Sequence, residues 1–370
     1  MNGLFSALKL RGLTLPNRIV VSPMCQYCAA DGLANSWHVA HLTQLAISGA
    51  GMLTIESTAV EPDGRITPGD LGLWSDDTEA ALGTVIQAIR DNSRTPVALQ
   101  LAHAGRKASS YEPWRGGQLI PVSEGGWETV APSAIPHKEG EAAPVELTKA
   151  DIVRLREAFV AATRRAARLG VDALELHGGH GYLIHQFLSP ISNQRTDEYG
   201  GSLENRMRFL LEVFDAVRDA WPDERPLGVK LSASDWVEGG LDIDATVTIS
   251  QALKAHGADW VVSSSGGISP LQKIAPAPGY QVPFAARVKQ EAGLVSTAVG
   301  LITEPRQADE IIRSGEADLV AIARAMLNDP RWPWRAAAEL GAKVTAPPQY
   351  WRALPQGHAD IFEHLVFGAR

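Results

Sequence analysis

Cysteine is nearly absent from this chain: two of 370 residues, Cys25 and Cys28. That is too few for a disulfide framework, and too few for a structural zinc or iron–sulfur site without other ligands. Long apolar runs are missing as well, since none approaches the roughly 20 residues that a membrane span needs. The start, Met1 to Leu10, lacks a basic-then-apolar leader design, so a cytoplasmic protein is expected. A basic excess is also absent. The 34 Lys and Arg residues stand against 42 Asp and Glu, a net charge of −8, with no cationic cluster able to follow a phosphate backbone. Neither nucleic acid nor a membrane is an expected partner. Disorder is excluded too, because 45% hydrophobic and 21% charged residues supply a large core.

What is present is a repeat. An amphipathic helical pattern, then Gly, then a short apolar run recurs along the chain. It appears at Ser48-Gly49-Ala50-Gly51 before MLTIES, Leu169-Gly170 before VDALELH, and His256-Gly257 before ADWVVSS. It returns at Ala292-Gly293 before LVSTAVG and at Ser314-Gly315 before EADLVAIAR. Glycine suits the left-handed position after a helix, and near-continuous apolar runs suit parallel strands buried on both faces. Ile19–Met24, Val97–Leu101 and Leu227–Leu231 bring the strands to eight. Helices are expected between them: Asp77 to Arg90, and one opened by a capping box at Thr148 and Asp151 that ends near Leu169.

The count points to an α/β fold, a (β/α)8 TIM barrel, formed by residues 1–370 as one domain with a C-terminal arm from about 344. A doubly wound sheet also alternates, but no Gly-x-Gly-x-x-Gly follows the first strand. Tyr111 to Glu146, after strand three, is rich in Pro, Gly and Trp and too long for a plain connection. It is expected to run over the barrel mouth, where it can form a lid.

Active sites of such barrels lie at the C-terminal strand ends. There the chain places Cys25 and Tyr27, Glu56 to Thr58, Gln100 and His103, His177 and His180, Lys230, Ser263 to Ser265, Gly300 and Arg324. Strands seven and eight commonly hold a phosphate between their loops. Gly300-Leu301 and Ala323-Arg324 sit there, offering backbone N–H groups and a guanidinium. The alternative is that these glycines only make turns.

Cys25-Gln26-Tyr27-Cys28 has the spacing of a redox dithiol, but it follows a strand rather than opening a helix. One site thiol with an incidental neighbour is the other reading. His177-Gly178-Gly179-His180 admits three: metal ligands, structural histidines, or donors to a substrate oxygen that gains charge as a carbonyl becomes enolate-like. A metal site lacks its usual carboxylate or cysteine partner, and none is expected.

Several segments resemble the old yellow enzyme family of FMN-dependent ene-reductases, in its bacterial thermophilic-like, xenobiotic reductase subclass. They are SPMCQY (Ser22–Tyr27), LQLAHAGRKA (Leu99–Ala108), the long block Leu176–Glu212, VKLSASDW (Val229–Trp236), VGLIT (Val299–Thr303) and APPQYWR (Ala346–Arg352). The resemblance implies FMN across the barrel mouth, reduced by NADPH or NADH, and hydride delivery from flavin N5 to an activated alkene. It implies flavin contacts at Ser22, Pro23, Met24, Cys25, Ser57, Gln100, Lys230, Gly300, Ala323 and Arg324. His177 and His180 would bind the substrate carbonyl, Tyr182 would donate a proton, and Tyr27 would line the substrate side. It further implies a homodimer or homotetramer in which Arg352 reaches a neighbouring subunit's pocket.

The chain departs from that pattern at Lys230, where Arg is usual, at Ala323, where Gly is usual, at Ser57, where Ala is common, and at Cys28. Rival expectations are the same flavin barrel acting on nitro compounds, nitrate esters or dienoyl thioesters, a non-flavin barrel lyase using Lys230 as a Schiff-base lysine, and a binding protein without turnover.

Overall fold

The computed structural model describes residues 3–365. Eight parallel strands close into a barrel: β1 Ile19–Val21, β2 Met52–Ala59, β3 Val97–Ala102, β4 Ala173–Gly178, β5 Leu227–Ser232, β6 Trp260–Ser264, β7 Val295–Ala298 and β8 Leu319–Ile322. Each pairs with its neighbour in sequence, and β1 pairs with both β8 and β2, so no barrel edge is left open. Helices α1 Ser36–Ala46, α2 Asp76–Asn92, α3 Lys149–Arg168, α4 Leu203–Ala220, α5 Ile243–Ala255, α6 Val282–Arg287, α7 Pro305–Arg313 and α8 Trp332–Leu340 follow the strands in turn. This is the (β/α)8 architecture expected from the repeat.

Local chemistry explains the boundaries. α3 opens on the anticipated capping box: the Thr148 hydroxyl accepts from the Asp151 N–H, and the Asp151 carboxylate accepts from the Thr148 N–H. α2 begins at Asp76 under a Ser75–Thr78 box and continues two residues past Arg90. Gly257 and Gly315, at φ 92° and 81°, turn the chain from helix to strand in the left-handed region.

Two apolar layers result. The outer one lies between strands and helices, where Phe159, Phe187, Phe209 and Phe214 are fully buried. The inner one fills the barrel floor with Val20, Met52, Ala98, Ala173, Trp260 and Val262. An N-terminal hairpin, Leu8–Leu10 with Leu13–Leu15, closes that floor by burying Leu10 and Leu15. Gly228 makes room for Trp260, since a Cβ there would lie 2.2 Å from the indole. The floor is therefore packed solid, and only the opposite end can hold ligands.

The excursion Tyr111–Glu146 contains short turns at Pro113–Arg115 and Val122–Glu124, with Val130–Ala131 paired to Val145–Glu146. Trp114 packs edge-on against Tyr27 in the loop after β1, with ring centres 5.8 Å apart, so this segment does reach the mouth.

The C-terminal arm differs from expectation. Its prolines suggested an extended stretch, but Pro348–Ala353 forms a 3₁₀ turn. The chain then returns to bridge Phe362 with Val344 and bury Ile361 and Phe362 against Trp334. Pro347 stays extended and Pro348 takes the first position of the turn, where its missing N–H costs nothing, while the apolar contact sets the path beyond it. Residues 366–370 of the expected arm lie outside the described residues. No helix among the described residues is long and apolar enough to cross a membrane.

Candidate active site

A cavity of about 310 Å³ opens at the C-terminal end of the barrel. Ser22, Pro23, His180, Lys230, Gly300, Ala323 and Arg324 line it, all singled out from sequence. Its far end is built by the loops after β7 and β8. Gly300 stands at φ 110°, and a Cβ there would press on the Gln281 side chain at about 3 Å. Arg324 stands just past the end of β8, after Ala323, and among the described residues its guanidinium enters no ion pair. A guanidinium without an ion-pair partner at the cavity wall is suited to an anion.

Strand register assembles the other end. Lys230 of β5 pairs with His177 of β4, which sets an ammonium beside the imidazole pair. Lys230 is buried, and among the described residues it forms no salt bridge; burial pulls its pKa down while nearby Glu175 and Cys25 hold it up. A buried cation without a bonded carboxylate fits a group that becomes anionic on reduction. Gln100 of β3 lies deeper, donating to the Glu175 carboxylate at 2.6 Å. Gln100, Met24, Cys25 and Ser57 do not line this cavity.

A register shift in β2 between Ile55 and Thr58 places Glu56 and Ser57 opposite Gln100. Ser57 contributes a backbone hydrogen bond to the Cys25 thiol. Burial, with Asp70 and Glu56 nearby, holds that thiol well above its ordinary range, so Cys25 stays protonated. Cys28 is free as well and lies 3.7 Å from His38 Nε2. Its pKa is pushed up to about 11, mainly by burial.

His177, His180 and Tyr182 converge. The His177 ring is edge-on to both others, with centres 5.1 Å from His180 and 4.9 Å from Tyr182. His180 Nε2 lies 2.7 Å from the Ser264 hydroxyl, which leaves its ring facing the cavity. Burial drives both imidazoles well below their ordinary pKa, which favours their neutral forms. Burial drives the Tyr182 phenol well above its usual value, with Cys25, Tyr27 and Asp70 adding to the rise, so it keeps its proton near neutrality. Tyr27, at φ 53°, is held at the same mouth.

One rim residue points elsewhere, and the arm residue stays outside this chain's own site. His103 turns away from the cavity, with Nε2 3.0 Å from Glu61 and Nδ1 accepting from the Gly105 N–H. Arg352 is exposed on the arm and does not line this chain's own cavity. Conversely, Tyr280 and Gln281 line the cavity from the segment before α6 and were missed. Gly279, at φ 76° and bonded to the Gly300 carbonyl, was the available signal. Glu56 and Asp70 were not given roles; burial raises their carboxyls to about 8 and about 6.

A packed barrel whose mouth gathers a lining arginine, a buried lysine and a His–His–Tyr set has the side chains that a flavin-dependent oxidoreductase needs. Residues 3–343 match the model of the NADH:flavin oxidoreductase / NADH oxidase family, and the chain belongs to that family, in its old yellow enzyme type. It is 46% identical over 351 residues to an NADPH dehydrogenase of Geobacillus thermodenitrificans, covering 94% of this chain and 98% of that one. It is 43% identical to one of Listeria innocua, covering 95% and 99%. Among solved structures, morphinone reductase in complex with tetrahydroNAD superposes with a TM-score of 0.77 at 27% identity, covering 99% of this chain and all of that one. An old yellow enzyme homologue from Zymomonas mobilis, at 24% identity and a TM-score of 0.75 over 97% and 99% of the two chains, shares the fold. The protein is thus an oxidoreductase that uses FMN with NAD(P)H as reductant.

Proposed function

We propose that the protein reduces the activated C=C bond of α,β-unsaturated carbonyl or related electrophilic compounds. The convergence of His177, His180 and Tyr182 beside Lys230 carries this reading. The flavin, when bound, supplies the hydride chemistry between NAD(P)H and an electron-poor alkene carbon. Ser22, Pro23, Lys230, Gly300, Ala323 and Arg324 would hold it, with Met24, Cys25, Ser57 and Gln100 as further contacts. Lys230 would offset the negative charge of the reduced ring as a point charge, where a guanidinium would form a planar fork.

The substrate carbonyl accepts hydrogen bonds from the neutral His177 and His180 rings, which stabilise the oxygen as it becomes enolate-like. Tyr182 donates its phenolic proton to the α-carbon. A phenol with a raised pKa is a suitable general acid because it is fully protonated at neutral pH. Tyr27 and the Trp114 excursion border the substrate side and limit water. The protein works as a cytoplasmic homo-oligomer in which Arg352 enters a neighbouring pocket; its exposure at the tip of a docked arm favours that role.

Tyr182→Phe is the test. Alkene reduction should slow by about 10²–10⁴-fold while flavin reduction by NADPH stays fast. Equal slowing of both half-reactions would assign the tyrosine another role.

A further inference from the structure

Lys107 has no part in the site described so far. It ends a short turn, Gly105–Lys107, in the loop after β3, and its half-buried side chain crosses to two other loops. Nζ donates to the His180 carbonyl at 2.7 Å and to the Gly267 carbonyl at 3.0 Å. It also stands 5.0 Å from the centre of the Tyr182 ring. The loops it joins are already in close contact: Gly181 is at φ 76°, and a Cβ there would lie 2.0 Å from the Gly267 carbonyl oxygen. Arg106 beside it donates to the Ile135, Pro136 and Ile268 carbonyls. Among the described residues neither cation forms a salt bridge. Tying loops together requires only N–H donors, which a neutral amide supplies without the cost of desolvating a charge. A positive charge kept over one tyrosine ring therefore calls for an electrostatic account.

We propose that Lys107 is a positioning residue for Tyr182, holding the ring at the mouth and stabilising the phenolate that forms as the tyrosine gives up its proton. The inference rests on the reading of Tyr182 as proton donor. In that step the phenolic O–H bond breaks and its electron pair stays on oxygen. The proton joins the α-carbon through the electron pair of the former alkene. The two reducing electrons arrive as hydride at the β-carbon, and water then reprotonates the phenolate. A cation over a ring face is attracted more strongly as the ring gains negative charge, so the contact favours the transition state over the ground state.

The titratable surroundings set the pH dependence. His177 of β4, His180 and His185 after it, Cys25 and Tyr27 after β1, Asp70 after β2 and Lys230 of β5 face Tyr182 and its histidines. Arg106 and, from the excursion, Lys138 and His137 face Lys107. Burial, then Arg106 and Lys138, pull the ammonium down to about 8, whereas the phenol titrates well above 10. Lys107 therefore loses its charge first as pH rises.

Anaerobic reoxidation of the NADPH-reduced holoenzyme by 2-cyclohexenone is the experiment, followed as a function of pH. The wild-type rate constant should fall roughly tenfold as pH rises through the lysine titration near 8, while flavin reduction shows no such limb. Lys107→Gln keeps the N–H donors but not the charge; it should be slower by roughly tenfold below that limb and flat across it. Lys107→Arg should restore the rate and carry the plateau to higher pH. A limb that persists in Lys107→Gln, or an arginine variant as slow as the glutamine one, would overturn the proposal. If Tyr182→Phe reoxidises at the wild-type rate, the donor reading itself fails; if that variant is slow while Lys107→Gln matches wild type, only this inference fails.

Discussion

Arg324 is the residue that the proposed cofactor site makes most important for FMN retention. It borders the cavity next to Ala323 and Gly300, and among the described residues it has no carboxylate partner. Removing it strips the proposed phosphate site of its full charge while leaving backbone amides in place. Arg324→Ala should purify with markedly less FMN per chain, measured by absorbance after heat release; unchanged occupancy would remove it from the cofactor site. Sequence made this residue visible because phosphate seats in barrels fall at fixed strand ends. Glu56 was legible only in part: its place at the rim followed from the strand pattern, its neighbours did not. Its functional context comes from the shift in β2 that sets it beside Gln100 and Cys25, and no periodicity announces such an irregularity. Tyr280 was hidden for a related reason, since it reaches the cavity from a Pro- and Gly-rich segment distant from any strand end.

At the scale of elements, the loop after β4 is fixed by a buried polar knot. His185 of the short helix Leu183–Leu188 accepts from the Gly181 N–H at Nδ1, and its Nε2 lies 2.8 Å from Asp235 in the loop after β5. Asp235 also accepts from the Ser189 hydroxyl and the Leu241 N–H, both at 2.6 Å. Burial pushes the Asp235 carboxyl up, but His185 and these hydrogen bonds outweigh it and leave the pKa below its ordinary value. Asp235→Ala should therefore destabilise the protein by about 3 kcal/mol, read from urea midpoints near neutral pH. A group with a depressed folded pKa contributes its stability above the unfolded value and loses it as pH falls through the folded one. The deficit of the variant should accordingly shrink below about pH 4. A variant as stable as wild type would show that the knot does not brace the loop. Strands and helices were legible because the same local order of helix, glycine and apolar run recurs along the chain. The arm was not, since its path depends on Ile361 and Phe362 finding Trp334, a contact no local pattern encodes.

At the scale of the molecule, the barrel explains why distant segments of sequence act together. Eight strand ends converge on one rim, so His177 and Lys230, far apart in sequence, become paired neighbours. The proposed assembly adds a second level. Arg352 is exposed in this chain, and the account gives it work in a partner's pocket. Mixing Arg352→Ala subunits with subunits disabled at Tyr182 and His177 checks this, once each is found inactive alone. Hybrids should regain activity, because one pocket then combines an intact barrel with an intact arm; a monomer in solution, or full activity in Arg352→Ala, would remove the residue from the site.

The division of labour between hydride donor and tyrosine can be read directly from where isotope labels arrive. Reduction of a 2-methyl cyclic enone by NADPH in deuterated water should place solvent deuterium on the α-carbon only. With hydride-deuterated NADPH in ordinary water, the label should appear on the β-carbon only, on the face opposite the added proton. Solvent deuterium at the β-carbon, or cofactor deuterium at the α-carbon, would contradict the assignment of Tyr182 as proton donor to an alkene reduced by hydride.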